Sequence, residues 1–469
     1  MSYRRIRQEQ PCKLSALDRT CETIRRSNTS PLAVALNYAT SVAQVSRPSG
    51  ARTTALRART EELVLRALQR HGYTHARGFR DEAFSGLALA KLAALAGLSR
   101  PSVYNVQSVY EELLLEPLRL RPDVGYVVGV EYWPRGARVA IADIHGQLFE
   151  HREEFERSFK LLRPPEEYLD WTAPKIDKLV REAGVEPEEV IGIGVSQVAP
   201  LDSSTGHPHP FGLANKAWRD VNVVDQLERR LVDLRGEWES VQSGIADNDT
   251  NLSALAEHTR GSAQDVDDLL YVKWSNHVGF GLILGGAPYR GSRGFAGGLA
   301  HLLVDDERSG RKRRTDDEVC LRCGQVGCLE MRIGADWIAT EFGAPEEDLI
   351  NAADYVLDRV NVTRAGYADE DRLRVDDAAR LLGRTVAPAI VTLDPATLIL
   401  GGSLGGRIHD DTALLRAFRE GLEEPIVDVA YDVEIRQPEL EMSALQGACL
   451  RVLSDALFTW AQRVIHEAP

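Results

Sequence analysis

Cysteine is scarce: six residues in 469, three of them within nine positions, too few and too clustered for a disulfide framework to be the basis of the fold. Long hydrophobic runs are missing as well. No stretch approaches the roughly 18 uninterrupted apolar residues that a membrane span requires, which excludes a membrane-spanning helix. The opening residues, MSYRRIRQEQPCKL, are basic and lack the apolar core of a signal peptide. These absences point to a cytoplasmic protein without a membrane partner, in a compartment where thiols stay reduced. What remains is ordinary globular material, 43% hydrophobic with mixed charge, and its length calls for two or three domains.

Charge is distributed unevenly. Residues 1–122 hold 19 Lys and Arg against 10 Asp and Glu, whereas the rest hold 37 against 60, so a head of +9 precedes a body of −23. Such a division suggests a nucleic-acid module joined to a domain with another task; a solvated basic tail is the blander alternative. Residues 1–58, rich in Arg, Ser, Thr and Ala, have little periodic hydrophobicity and read as a basic mobile arm. From Glu61, EELVLRALQRHG places Leu63, Val64, Leu65 and Leu68 along a helical face and stops at Gly72. GLALAKLAALAGLSRPSVYNVQSVYEELLLE then gives an Ala/Leu helix, a break at Gly97, and a second helix capped by Ser99 and opened by Pro101. These are the parts of a helix-turn-helix, assigned to residues 59–120. Its second helix would present Arg100, Ser102, Tyr104 and Asn105 to the major groove of double-stranded DNA. An ordinary helical bundle is the competing reading.

RLRPDVG, residues 119–125, reads as a linker to a body covering residues 121–469. YVVGVEYW and ARVAIADIHGQLFEH form two strands joined across PRG, and IGIGVSQVAP is a further buried strand and loop. LLYVKWSN and GFGLILGGAPYRG repeat the hairpin, and a helix running to Ile390 precedes TLILGGSLGG, a buried strand ending in a glycine-rich turn. Alternating strands and helices with two similar hairpins indicate a duplicated α/β body.

Within it, CLRCGQVGCLE (residues 320–330) brings three soft sulfur donors within reach of one ion, with Gly324 and Gly327 allowing a tight loop. Three thiolates need a fourth donor to close a tetrahedral zinc site; a disulfide plus a spare cysteine is the alternative. Further upstream, ADNDT precedes the helical NLSALAEHTRG, so Asn248 and Asp249 either face a polar ligand or merely cap that helix.

Taken in order, DNDT, GFAGGLAH and CGQVGCLE make the chain resemble the ROK family of sugar kinases and sugar-responsive repressors over about residues 61–460. The resemblance implies an N-terminal, winged helix-turn-helix followed by a two-lobed, duplicated actin-like (ribonuclease H-like) sugar-kinase fold. It also implies a structural zinc beside the sugar pocket, held by His301, Cys320, Cys323 and Cys328. Two departures stand out: two residues separate Cys320 from Cys323 where the family has one, and DDERSGRKRRTDDE lengthens the arm after His301. These make Cys323 and Cys328 firmer ligands than Cys320.

The sugar contacts implied are Asn248, Asp249 (the family's base position), His301 and Glu330. The family's glutamate before Gly-His is replaced by Gly298, removing one acceptor. At the first phosphate loop, EYWPR stands for Asp-x-Gly-Gly-Thr: Glu131, Trp133, Pro134 and Arg135 replace the loop's functional residues. A Trp side chain fills space a phosphate needs, and Pro lacks an N–H. The second loop reads SNHVGFG, with Asn276 and His277 substituted. The expectation is therefore a DNA-binding regulator, a repressor, without catalytic residues, sensing a sugar-like ligand as a homodimer or dimer of dimers. An ATP-dependent sugar kinase and a ligand-independent DNA-binding scaffold are the alternatives.

Overall fold

The computed structural model describes residues 58–66, the single positions 96, 98, 102, 103 and 106, then 114–115, 119–133, 136–155, 164–202, 205–209, 216–241, 243–304, 319–345, 348–360, 369–425 and 433–467. The chain divides into two units between Thr60 and Glu61, and the architecture below belongs to the second.

A two-residue pairing of β1 (Leu114–Leu115) with β2 (Arg119–Leu120) leads into the first of two five-stranded sheets. That sheet contains β3 (Tyr126–Trp133), β4 (Gly136–Asp143), β5 (Leu148–Phe155), β6 (Val190–Gln197) and β7 (Gly244–Asn248), in the order β5-β4-β3-β6-β7. The second contains β8 (Leu269–Trp274), β9 (Val278–Leu284), β10 (Ala287–Pro288), β11 (Thr397–Gly401) and β12 (Glu434–Arg436), in the order β10-β9-β8-β11-β12. In each, three antiparallel strands are extended by two parallel ones. The duplication expected from the two hairpins is present.

One strand expectation is corrected. ARVAIADIHGQLFEH is two strands rather than one, because the Asp143 carboxylate accepts from the backbone amides of His145 and Gln147 and Gly146 adopts a φ of 76°. An Asx-type turn reverses the chain and converts the hairpin into a three-stranded meander.

On the outer face of the first sheet lie α1 (Pro165–Glu182) and α2 (Val223–Leu234). Helix α1 opens with Pro165 and two acidic residues, suited to a helix N-terminus. Helix α2 is capped by Asn222, whose side chain accepts from the amides of Val224 and Asp225. Their apolar stripes, including Ile176, Leu179, Leu227 and Leu231, pack on Val128, Val139 and Ile193 of the sheet. Helix α3 (Asp249–Thr259) follows β7, and then come α4 (Leu329–Ile333), α5 (Ala335–Glu341), α6 (Ala352–Val360), α7 (Asp369–Leu393), α8 (Gly402–Arg407), α9 (Thr412–Glu423) and α10 (Ser443–Glu467). Helices α4 to α9 build the second lobe's main core with β8, β9 and β11. GGSLGG is not only a turn: after Gly401 it forms α8.

Helices α3 and α10 pack against each other, and glycine makes this possible. A Cβ on Gly194 of β6 would lie 2.1 Å from the Ala448 carbonyl oxygen of α10. One on Gly447 of α10 would lie 2.0 Å from that of Leu252 in α3. The glycines of IGIG therefore mark close backbone approach within an otherwise apolar strand.

Residues 58–66 are helical, as the periodicity from Glu61 predicts. Val64, Leu65, Val103 and Val106 are buried with Leu453, Leu457 and Trp460 of α10, and the Gln462 amide donates to Glu61 at 3.4 Å. Ser102 is helical and half-buried, whereas Arg100, Tyr104 and Asn105 lie outside the described residues. No helix among the described residues is long and apolar enough to cross a membrane.

Candidate functional site

Between the two sheets lies a cleft of about 630 Å³, lined from both lobes. That volume is in the range of small-molecule sites. The first lobe contributes Glu131, Trp133, Val198, Asn248 and Asp249; the second contributes Lys273, His277, His301, Arg322 and Glu330.

Asn248 ends β7 and caps α3, its Oδ1 accepting from the amides of Thr250 at 3.0 Å and Asn251 at 3.3 Å. Its Nδ2 donates to Asp249 Oδ1 at 3.0 Å. The capping reading and the pocket reading thus describe the same residue: capping fixes the strand-to-helix turn that carries Asp249 into the cleft. Asp249 Oδ2 accepts from Lys273 Nζ at 2.6 Å. Burial works against the Lys273 ammonium, but the carboxylates of Asp249 and Glu131 outweigh it and hold the pKa above the ordinary lysine value.

Across the cleft, Glu330 sits in the first turn of α4 and is almost fully buried. His277 Nδ1 lies 3.0 Å from its Oε1, the Val278 amide donates to Oε2 at 3.0 Å, and Arg322 Nε stands 3.5 Å away. Burial opposes its charge, yet these partners prevail and lower its pKa to about 2. The neighbouring loop is equally engaged: Asn276 Oδ1 accepts from the Ala353 amide at 3.2 Å, and the Ser275 carbonyl accepts from the Ala335 amide at 3.1 Å. Arg322 Nη1 donates to the Val198 carbonyl at 3.1 Å, so the cysteine knot reaches across to the first lobe. On the first-lobe hairpin, the Arg138 guanidinium stacks 5.3 Å from the centre of the half-buried Trp133 ring and pairs with Glu131 at 3.4 Å. Pro134 and Arg135 lie outside the described residues.

His301, Cys320, Cys323 and Cys328 come together. Their four donor atoms all lie within 4.8 Å of one another, and Cys320 Sγ is 3.8 Å from His301 Nδ1. A tetrahedral ion with sulfur bonds of about 2.3 Å separates its ligands by roughly 3.8 Å, so the set fits a metal. Cys320 lies within the cluster together with Cys323 and Cys328. The insertion after His301 is no obstacle because Leu303 and Cys328 form a β-bridge. Gly324 and Gly327 both have positive φ, as the tight loop requires. Cys320 and Cys328 share one hydrogen bond, which lowers the Cys320 pKa and raises that of Cys328. Four protein donors leave no position for a reacting water, the pattern of a structural site.

The four pocket residues Asn248, Asp249, His301 and Glu330 line one cleft. Sequence reasoning passed over Lys273 and Arg322. A lone lysine between apolar residues in YVKW was the available signal for the first, and the extra residue of the knot for the second.

The ROK family profile matches residues 136–451. The xylose repressor of Caldicellulosiruptor bescii is 24% identical, over 72% of this chain and 81% of its own length. An N-acetylmannosamine kinase of Escherichia coli is 32% identical, over 34% of this chain and 50% of its own. Among solved structures, a ROK family transcriptional regulator described as a homologue of the E. coli MLC protein has a TM-score of 0.62 at 15% identity, covering 88% of this chain and 99% of that one. ROK hexokinase from Thermus thermophilus has a TM-score of 0.51 at 24% identity, covering 69% and 97%. These structures share the α/β kinase-like fold. With two thirds of its residues inside the profile, the chain belongs to the ROK family.

Proposed function

We propose that this protein is a DNA-binding transcriptional repressor whose kinase-like body senses a sugar or sugar-like ligand without phosphorylating it. The observation carrying this reading is the condition of the cleft. Asp249, at the family's base position, already has both carboxylate oxygens bound within the chain. Trp133 lies on the cleft wall at the first phosphate loop, and the second loop is tied to α5 and α6 through Ser275 and Asn276. A phosphate cradle needs outward-pointing backbone N–H groups and room to approach them; Trp133 takes up room at the first loop, and Pro134 has no N–H to offer.

The polar groups of Asn248, Asp249, His301 and Glu330 suit a polyhydroxylated ligand, and a structural zinc on His301, Cys320, Cys323 and Cys328 would hold two of those segments in place. Residues 1–58 would form a basic arm, 59–120 the winged helix-turn-helix, and 121–469 the sensing and oligomerising body. Arg100, Ser102, Tyr104 and Asn105 would meet the major groove; the buried Val103 and Val106 support a helix anchored by its inward side. Packing of that segment on α10 offers a route from cleft to DNA. A homodimer or dimer of dimers in the cytoplasm would then read a two-fold operator.

The retained Asp249 and the E. coli kinase relative favour a second reading, an ATP-dependent sugar kinase. Gel-shift titration on duplex DNA recovered by genome-wide mapping separates the two. Arg100→Ala should weaken binding by about 1–3 kcal/mol, and a sugar such as D-xylose should shift the affinity of the wild type. Unchanged DNA affinity after deleting residues 1–120 removes the regulator reading. ATP-dependent turnover that vanishes in Asp249→Ala establishes the kinase instead.

A further inference from the structure

The hydrogen-bond polarity of the cleft has been reversed at its centre. Asp249 Oδ2 is taken by Lys273 at 2.6 Å and Oδ1 by Asn248 at 3.0 Å, with Thr250 Oγ1 at 3.4 Å beside it. Asn248 in turn spends its carbonyl on the cap of α3. The Asp249 side chain is 5% exposed and that of Lys273 is 25% exposed, and both residues line the cleft. A lysine ammonium carries three donors and no acceptor, and Asp249 uses one of them. Asp249 balances its charge, and Arg138 pairs with the nearby Glu131, so this corner does not call for an anionic ligand.

We propose that Lys273 is the specificity-determining contact of the cleft, donating from its Asp249-anchored ammonium to an uncharged acceptor oxygen of the ligand. The inference rests on the ligand-sensing reading and deepens it. Where a base would take a hydroxyl proton from the ligand, this pocket gives a hydrogen bond to it. Asp249 then acts on the ligand chiefly by positioning: its oxygens are held by Lys273 and Asn248, and it orients the ammonium. The arrangement favours sugars whose oxygen at this place accepts, whether or not it also carries a proton. Burial opposes the charge, but the carboxylates of Asp249 and Glu131 outweigh it and keep Lys273 protonated throughout the neutral range, so the contact persists there.

Calorimetric titration of the full chain with D-xylose, D-glucose and N-acetylmannosamine, and with the O-methyl ethers and deoxy analogues of whichever sugar binds, tests this. Lys273→Met removes the ammonium while keeping the stem length. It should weaken the bound sugar about tenfold or more, the loss expected for a hydrogen bond to a charged donor. Lys273→Arg should recover part of that loss. Because Lys273→Met leaves a buried carboxylate without its cation, the Lys273→Met/Asp249→Asn double variant serves as the folded control. It should melt close to the wild type and still bind about tenfold more weakly. For one hydroxyl, the O-methyl ether should retain binding to the wild type while the deoxy analogue loses it. Binding by the double variant equal to that of the wild type overturns the proposal and leaves ligand sensing intact. Failure of the wild type to bind any sugar of the panel overturns the sensing reading, and this proposal with it.

Discussion

The two five-stranded sheets share one strand order, yet their corresponding hairpins end on tryptophans with opposite fates. Strand β3 closes on Trp133, half-buried in the cleft wall beneath Arg138. Strand β8 closes on Trp274, fully buried, with its indole N–H donating to the Ile333 carbonyl at 2.6 Å. One residue earlier the roles exchange: Tyr132 is buried and hydrogen-bonded to Thr172, whereas Lys273 faces the cleft. Backbone pairing and apolar alternation are enough to repeat a sheet, and they do not specify which side chain ends a strand. The two copies can therefore hold the same framework while one supplies a wall and the other supplies the charged contact.

The comparison can be broken most forcefully at the cysteine knot, which belongs to the second lobe alone. Cys328→Ser should abolish the metal binding proposed for the cluster and cost on the order of 3–5 kcal/mol, read by elemental analysis and thermal unfolding. Hydrogen exchange should then accelerate in β8 and β9 and stay slow in β3 and β4. Equal acceleration in both lobes would show that the knot supports the whole body. Unchanged stability together with no metal in the wild-type protein would remove the metal assignment.

The tryptophan pair sharpens the contrast at intermediate cost. Trp274→Ala empties a fully buried site and leaves the Ile333 carbonyl without its donor, so a loss of about 3–5 kcal/mol in urea unfolding is expected. Trp133→Ala should cost less, about 1 kcal/mol, because this residue is only partly buried. Comparable losses from both would mean that Trp133 is a core residue and not a wall.

Gly298→Glu should have the smallest effect on stability. A Cβ there would meet nothing within 4 Å, so a change of at most about 0.5 kcal/mol is expected. The new carboxylate would restore the acceptor absent from GFAGGLAH, and the affinity for D-xylose or N-acetylmannosamine should change measurably. A large destabilisation with no change in ligand affinity would place position 298 outside the cleft's working surface.

Much of this molecule was legible from local pattern. The strand runs, the helix that follows DNDT, and the knot at residues 320–330 all stand where alternation, capping and cysteine spacing place them. Legibility failed where short polar residues rerouted the chain, as at Asp143, which turned one expected strand into two. It failed again in the cleft. Lys273 looks like an exposed strand charge until Asp249 is seen opposite it, and Arg322 looks like a knot side chain until Val198 is seen across the gap.

His301 as fourth metal donor came with the family resemblance, whereas the sequence by itself determined the duplicated α/β body, the capped turn at Asn248 and the three clustered cysteines. Each of these follows from interactions within a few residues or from a repeated period. The tertiary structure decided what those residues do to one another. Lys273 meets Asp249 from 24 positions away and Arg322 meets Val198 from 124 away. Strand periodicity says only which face a side chain occupies. Which partner it finds depends on how closely α3 and α10 pack, and on the glycines that let them.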